Sequence, residues 1–320
     1  MWKIGNIEIH GKVVLAPMAG YTSIGYRKFM KKFGADVLYT EMVSDMGLIY
    51  ENENTIAYLL TDESEKPIGV QLFGSEPENM KKAAQIVLKT TSKFDFFDIN
   101  AGCPVPKVTR SGAGSSLLKN PDKLADLVKA IKEVTDKPVT VKIRLGWDSH
   151  SINFLDVIKK LEEAGVAMIA IHARTTKELY LGTPHFDMLK DLRSKMSVPL
   201  VVSGNIFTLD DAIKAIEITG ADAVMIARGG VGNPTLIKQV NEYYKNNVKI
   251  PNATLEQQKA YCLELARMLI EEKGEERAMK VFRSMAPKFF VNYPNSKALR
   301  TDLAQNLVSY EYLENALKNF

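Results

Sequence analysis

The sequence predicts an α/β fold, a closed (β/α)8 barrel of the TIM type with a small all-helical domain after it. Three observations carry this prediction. Short apolar runs rich in β-branched residues recur with helix-length amphipathic stretches between them, the pattern of βα units around a buried parallel sheet. Eight such runs follow one another, and eight suit a closed barrel better than an open doubly wound sheet, which usually stops at about five or six strands. The 320 residues, 46% of them hydrophobic, are enough for one barrel of about 250 residues and a small appendage.

The strand runs are Val13 to Met18, Asp36 to Tyr39, Ile68 to Phe73, Phe96 to Asn100, Val139 to Ile143, Met168 to His172, Leu200 to Ser203 and Ala223 to Ala227. Between them, Asn120-Pro121-Asp122 ahead of Leu124, Leu127, Val128 and Ile131 supplies a helix start and then an apolar stripe. Thr208-Leu209-Asp210-Asp211 ahead of Ala212, Ile213 and Ile216 repeats that logic. After the last strand, Gly229, Gly230, Gly232 and Pro234 introduce a helix ending near Tyr244, and residues 246–252 read as a linker. The expected division is therefore a barrel domain over 1–245 and a helical domain over 252–320, where Leu255, Cys262, Leu265 and Leu269 keep helical periodicity and strand runs are absent.

The formal net charge of +4 permits a polyanionic partner without requiring one, so a case for nucleic acid must come from local charge. The first residues, Met1 to Asn6, lack a basic-then-apolar leader pattern, and no apolar run reaches the roughly 18 residues of a membrane helix. A cytoplasmic protein with no membrane partner is expected. The two cysteines, Cys103 and Cys262, stand in contexts too different for a stapled secreted domain or a metal site, so reduced thiols and no metal are expected.

In a barrel of this type the working residues stand at the C-terminal ends of the strands and in the loops after them. Lys142 lies among Val139, Val141 and Ile143, where a cation is costly unless an anion or polar ligand meets it. It either snorkels to the barrel mouth and pairs with a carboxylate, or stabilises the negative charge that a reduced flavin carries near N1 and O2, the better partner. Gln71 suits the same ring edge, since an amide both donates and accepts. At the last two strand ends, Ser203-Gly204-Asn205 and Ala227-Arg228-Gly229-Gly230 are either tight turns or a phosphate site built from backbone N–H groups. Arg228 beside the glycines favours the phosphate, because a guanidinium forks onto its oxygens. His172 is open between a ligand contact and a hydrogen-bonded core histidine.

Gly102 and Pro104 hold Cys103 in a turn at a strand end, so its thiol can face the barrel mouth. A thiol of ordinary pKa, roughly 8.5, is mostly protonated at neutral pH and can serve as a general acid. No neighbouring pattern supplies the base that a nucleophilic role requires. Cys262 falls on an apolar helical stripe and reads as core.

Taken together, Ala16-Pro17-Met18-Ala19-Gly20, Asn100-Ala101-Gly102-Cys103-Pro104, Gly112-Ala113-Gly114-Ser115 and Ala227-Arg228 make the chain resemble the bacterial, FMN-dependent tRNA-dihydrouridine synthases over nearly its whole length. The resemblance implies FMN contacts at Pro17, Met18, Ala19, Gln71, Lys142, His172, Ser203, Gly204, Asn205, Ala227 and Arg228. It implies that Cys103 is the proton donor and that Asn100, Arg144 and Arg174 lie near the substrate base. The activity implied has two halves: NADPH or NADH reduces FMN, then a hydride from flavin N5 reaches C6 of a uracil ring in tRNA while Cys103 protonates C5. The target base must leave its stack, at about a few kcal/mol.

The chain departs from the family pattern at Thr176, where a second arginine is frequent, at Glu178, where glutamine is frequent, and at His185-Phe186-Asp187, where an Asp-Trp pair is usual. Ala101 stands where methionine is common. In the helical domain, Arg277, Lys280, Arg283, Lys288, Lys297 and Arg300 occur with no acidic residue between the first and last. The first three, three apart, would share a helix face near Phe289, Phe290 and Tyr293, a candidate tRNA phosphate contact. A solvated face offset by Glu271, Glu272, Glu275 and Glu276 is the plainer account. Pro287 is expected to bend or end that helix. The competing function is an FMN barrel acting on a small free pyrimidine; no obligate protein partner is evident.

Overall fold

The computed structural model describes residues 1–320. An antiparallel hairpin of β1 (Trp2–Ile4) and β2 (Ile7–Ile9) precedes nine parallel strands. These are β3 (Val13–Leu15), β4 (Leu38–Tyr39), β5 (Val43–Ser44), β6 (Ile68–Phe73), β7 (Phe96–Ala101), β8 (Val139–Arg144), β9 (Met168–His172), β10 (Leu200–Ser203) and β11 (Ala223–Ile226). They pair in the order β3-β11-β10-β9-β8-β7-β6-β4, with β5 continuing the path of β4 beside β6. The ring closes because the Leu15 N–H donates to the Val37 carbonyl at 2.9 Å and the Asp36 N–H to the Val13 carbonyl at 2.9 Å. The first strand stops short of Met18: Ala16 still donates to the Ile226 carbonyl, but Pro17 has no N–H to carry the ladder on.

Each barrel strand is buried on both faces, which is why the runs read as continuous apolar stretches. Phe97, Ile99, Val141 and Ile143 point outward into a cluster of 72 buried residues shared with the helices. Phe96, Val14, Val37 and Met168 point inward, and Trp2, Ile4 and Ile9 of the hairpin pack on them as a plug in the barrel. A Cβ on Gly69 would overlap the Phe96 ring, so only glycine leaves that ring its place. The helices start where their caps indicate: Asn120 accepts from Lys123 N–H ahead of Pro121–Lys132, and Thr208 and Asp211 form a capping box on Leu209–Thr219.

The helix Thr235–Asn246 ends on Asn247 at φ 54°, and a Thr254 capping box opens the helix Leu255–Lys273. Helices Glu275–Phe282, Lys297–Asn306 and Tyr310–Lys318 complete the chain. The helix expected to meet Pro287 has already ended at Phe282, and Pro287 lies in a 3-10 turn, Ala286–Phe290. The large cluster runs unbroken from the barrel's outer face into Cys262, Leu265, Phe282, Phe289 and Phe290. Phe289 and Phe290 are therefore core, not part of an exposed surface. Gly232, at φ 76°, lets the last segment dock, since a Cβ there would overlap the Lys288 carbonyl carbon. No helix is long and apolar enough to cross a membrane.

One ion pair in this scaffold is fully interior: Arg27 Nε lies 2.7 Å from Glu65 Oε1, with the side chains 2% and 0% exposed. Arg27 also donates to the Thr22 and Leu60 carbonyls at 2.7 Å. Glu65→Ala is expected to cost about 3–5 kcal/mol, because it strands a buried guanidinium. Urea unfolding measures this, and a loss below about 1 kcal/mol, the level of a surface pair, would refute it.

Candidate active site

The C-terminal ends of the strands surround a cavity of about 390 Å³, within the size range of cofactor sites. Pro17, Met18, Ala19, Asn100, Cys103, Lys142, Arg144, His172, Ser203, Gly204, Asn205, Ala227 and Arg228 all line it. Gln71 and Arg174 do not, and Arg277, Lys280 and Arg283 stand outside it, the first two on the helix Glu275–Phe282 and Arg283 capping its end. Tyr21, Met42, Tyr180 and Phe207 also line the cavity, although nothing in the sequence marks them.

Cys103 is half-buried, and its loop is pinned from every side. The Gly102 and Cys103 N–H groups donate to Asn100 Oδ1 at 3.1 and 2.8 Å. Arg144 Nε donates to the Gly102 carbonyl at 2.8 Å, and the Ser115 hydroxyl to the Cys103 carbonyl at 2.9 Å. Gly114, at φ 59°, explains the glycine-rich run after the cysteine: a Cβ there would sit 2.7 Å from the Cys103 carbonyl oxygen. Burial pushes the Cys103 thiol up, against the pull of the Arg144 and Lys142 charges. The thiol therefore keeps its proton at neutral pH.

Gln71 is fully buried beneath the lining, where its amide meets protein on both sides. Its Nε2 donates to Asp98 Oδ2 at 2.6 Å, and its Oε1 accepts from Asn100 Nδ2 at 2.8 Å. Arg174 is likewise committed: it donates to the Leu181 and Gly182 carbonyls and lies 3.2 Å from His172 Nε2, so it holds the loop after β9. Arg144 reaches the cavity but also donates to the Thr175 and Leu179 carbonyls at 2.7 Å. Gln71 and Arg174 thus have their hydrogen-bond partners within the protein and stand behind the lining, whereas Arg144 meets both the protein and the cavity.

The departures in the β9 loop are coupled. Glu178 Oε1 lies 2.5 Å from His185 Nε2, and its Oε2 accepts from the Thr175 N–H at 2.6 Å. The acid at 178 and the histidine at 185 thus serve each other, while Thr176 is buried with its N–H on the Gly146 carbonyl.

The cavity is cationic. Burial, then the nearby Arg144 charge, pushes the Lys142 ammonium down to about 8. Burial first, then Lys142, Arg144, Arg174 and Arg228, hold His172 well below the ordinary histidine range. His172 is therefore neutral in the fold, whereas the unfolded chain takes a proton below about pH 6.5. Stability should fall as pH drops through that value, and His172→Asn should flatten the decline; unchanged melting curves between pH 8 and 5 would refute this.

Two features fit an anionic, phosphate-bearing ligand. The backbone N–H groups of Gly204, Asn205, Arg228 and Gly229 have no acceptor within the chain, and such donors at βα turns are suited to phosphate oxygens. The Arg228 guanidinium is exposed and lies 5.1 Å over the Tyr180 ring and 5.8 Å over Phe207, with no carboxylate paired to it. These residues fit a phosphate-bearing flavin.

The profile of the family described as dihydrouridine synthase (Dus) matches residues 14–320. A protein of Synechocystis sp. called probable tRNA-dihydrouridine synthase 1 is 34% identical over 304 residues, covering 95% of this chain and 84% of its own. The tRNA-dihydrouridine synthase B of Vibrio vulnificus is 33% identical over 281 residues, 88% of this chain and 87% of its own. Among solved structures, a variant of NCR from Zymomonas mobilis superimposes with a TM-score of 0.51 at 16% identity, over 80% of this chain and 93% of that one, a likeness of fold alone.

Proposed function

The chain belongs to the dihydrouridine synthase family, and we propose that it reduces the C5=C6 bond of uridine in tRNA to 5,6-dihydrouridine, with FMN as its cofactor and NADPH or NADH as reductant. The observation that carries this reading is one cationic cavity in which a protonated thiol, an interior ammonium and four unpaired backbone N–H groups converge. When bound, FMN supplies the hydride that forms the new C–H bond at C6. Lys142 would offer its ammonium to negative charge on the ring, and the Gly204, Asn205, Arg228 and Gly229 N–H groups would hold the phosphate. Cys103 gives the proton at Sγ to C5, and the thiolate left behind is reprotonated from water. Asn100 and Arg144 hold the Cys103 loop at the edge where the base enters.

The catalytic work falls to residues 1–245 and the grip on tRNA to 252–320. Arg277 and Lys280 are exposed on the helix Glu275–Phe282, whereas Arg283 Nε donates to the Leu307 carbonyl at 2.7 Å and Lys288 Nζ lies 3.2 Å from the Tyr21 hydroxyl. The first pair is free for an RNA contact, whereas Arg283 ties the helical segment to itself and Lys288 joins it to the barrel. Arg277→Glu with Lys280→Glu should weaken tRNA binding and flatten its salt dependence by about one unit of slope for each phosphate no longer neutralised. An unchanged slope would move the RNA surface elsewhere. A substrate of this class places the enzyme in the cytoplasm.

The deciding experiment is nucleoside analysis of a uridine-containing tRNA transcript and of free uridine, each incubated with the purified protein and NADPH. Dihydrouridine in the tRNA supports the proposal. Reduction of the free pyrimidine alone would replace it with small-molecule chemistry.

A further inference from the structure

Asp98 is fully buried in β7 and stands in register with Gln71 of β6 and Thr140 of β8. The Thr140 hydroxyl donates to Asp98 Oδ1 at 2.6 Å, and Gln71 Nε2 donates to Asp98 Oδ2 at 2.6 Å. Gln71 Oε1 then accepts from Asn100 Nδ2 at 2.8 Å, and Asn100 Oδ1 accepts from the Gly102 and Cys103 N–H groups. A carboxylate offers only acceptors, and backbone N–H groups offer only donors. The two ends of this chain therefore dictate the direction of both carboxamides independently, and they agree.

We propose that Asp98 is a positioning residue for Cys103: it sets the direction of the Gln71 and Asn100 carboxamides and, through Asn100 Oδ1, holds the two amides that aim the thiol. The proposal rests on the reading of Cys103 as the proton donor. A carboxamide has two nearly isosteric orientations, and only its hydrogen bonds choose between them. Were Asn100 turned over, its NH₂ would face the Gly102 and Cys103 N–H groups, donor against donor, and the loop would lose both bonds. The direction survives protonation of Asp98, whose carboxyl burial pushes up to about 6 against the Gln71 and Thr140 hydrogen bonds and the Lys142 charge. The neutral acid donates to Thr140 Oγ1 and still accepts from Gln71.

Isosteric variants at positions 98 and 100 test this. In Asn100→Asp, at a pH where both carboxyls are ionised, a carboxylate oxygen confronts Gln71 Oε1 while Asp98 holds Gln71 from the other side, so no orientation satisfies the chain. Adding Asp98→Asn allows it to run in reverse. The carboxylate introduced at position 100 then accepts from Gln71 Nε2, Gln71 Oε1 accepts from the NH₂ introduced at position 98, and the amide oxygen of that same group accepts from Thr140. The readouts are the rate of Cys103 alkylation by iodoacetamide as a function of pH, and the melting temperature of the holoprotein. Cys262 is fully buried and silent in the fold.

The expected result is about a tenfold loss in the limiting alkylation rate and a lowered Tm for Asn100→Asp, with Asp98→Asn and the double variant within about threefold of wild type, a strong non-additivity. Failure of Asp98→Asn to rescue Asn100→Asp overturns the proposal, as does wild-type behaviour of Asn100→Asp. A tenfold loss in Asp98→Asn alone would also overturn it, by making charge the determinant. Should Asn100→Asp not fold, a folded double variant is the expected rescue and an unfolded one refutes it. Neither readout needs turnover, so a failure here is separable from a failure of the wild-type protein to form dihydrouridine.

Discussion

Cys103→Ala should lower uridine reduction by about 10²–10⁴-fold, the range that general acid catalysis contributes, while NADPH still reduces the flavin. The two half-reactions should separate because the task proposed for the thiol begins only when a base is present. In the structure the thiol is held by an acceptor on its own N–H and by donors on the Gly102 and Cys103 carbonyls, and burial keeps the proton on sulfur. Rapid mixing of NADPH with the oxidised protein, and then of tRNA with the reduced protein, reads each half. The uridine step should fall off at a pH above the ordinary thiol range, since the thiolate has no proton to give. An alanine variant that forms dihydrouridine near the wild-type rate would sink the assignment of Cys103 as the acid.

Lys142→Met should act in two opposite directions. Losing the charge proposed to face the flavin ring should weaken FMN binding about 10- to 100-fold, the scale of a charge-assisted hydrogen bond, and uridine reduction should fall with it. The flavin-free protein, however, should become more stable. The folded lysine titrates at about 8 against an ordinary value of 10.5, so at neutral pH the fold carries a charge it disfavours. The folded state releases that proton first, and stability should rise with pH between about 8 and 10.5. Methionine removes both the cost, on the order of 3 kcal/mol, and the slope. Thermal melts of flavin-free protein against pH measure this; a less stable Met variant would mean that the ammonium is paired rather than merely buried.

The strands were legible because both faces of each are buried, so apolar runs mark them directly. The helix starts were legible because caps are local chemistry, as at Asn120 and Thr208. The N-terminal hairpin was not, since Trp2, Ile4 and Ile9 become a plug only once Phe96, Val14 and Met168 of the barrel stand above them. Tyr180 reached the site unannounced: it belongs to a loop with no periodicity, and its ring is placed by Arg144 and Arg228 at 5.4 and 5.1 Å.

By itself the sequence determined the barrel, the run of polar residues at its strand ends and the thiol held in a turn, because each depends on local pattern. Only the tertiary structure decided which of those polar groups face the cavity and which are consumed in holding it. Gln71 and Asp98 are 27 residues apart, and Asp98 and Thr140 are 42 apart. Whether an amide meets a ligand or a neighbour is a matter of strand register, and register is set by packing that no single segment contains.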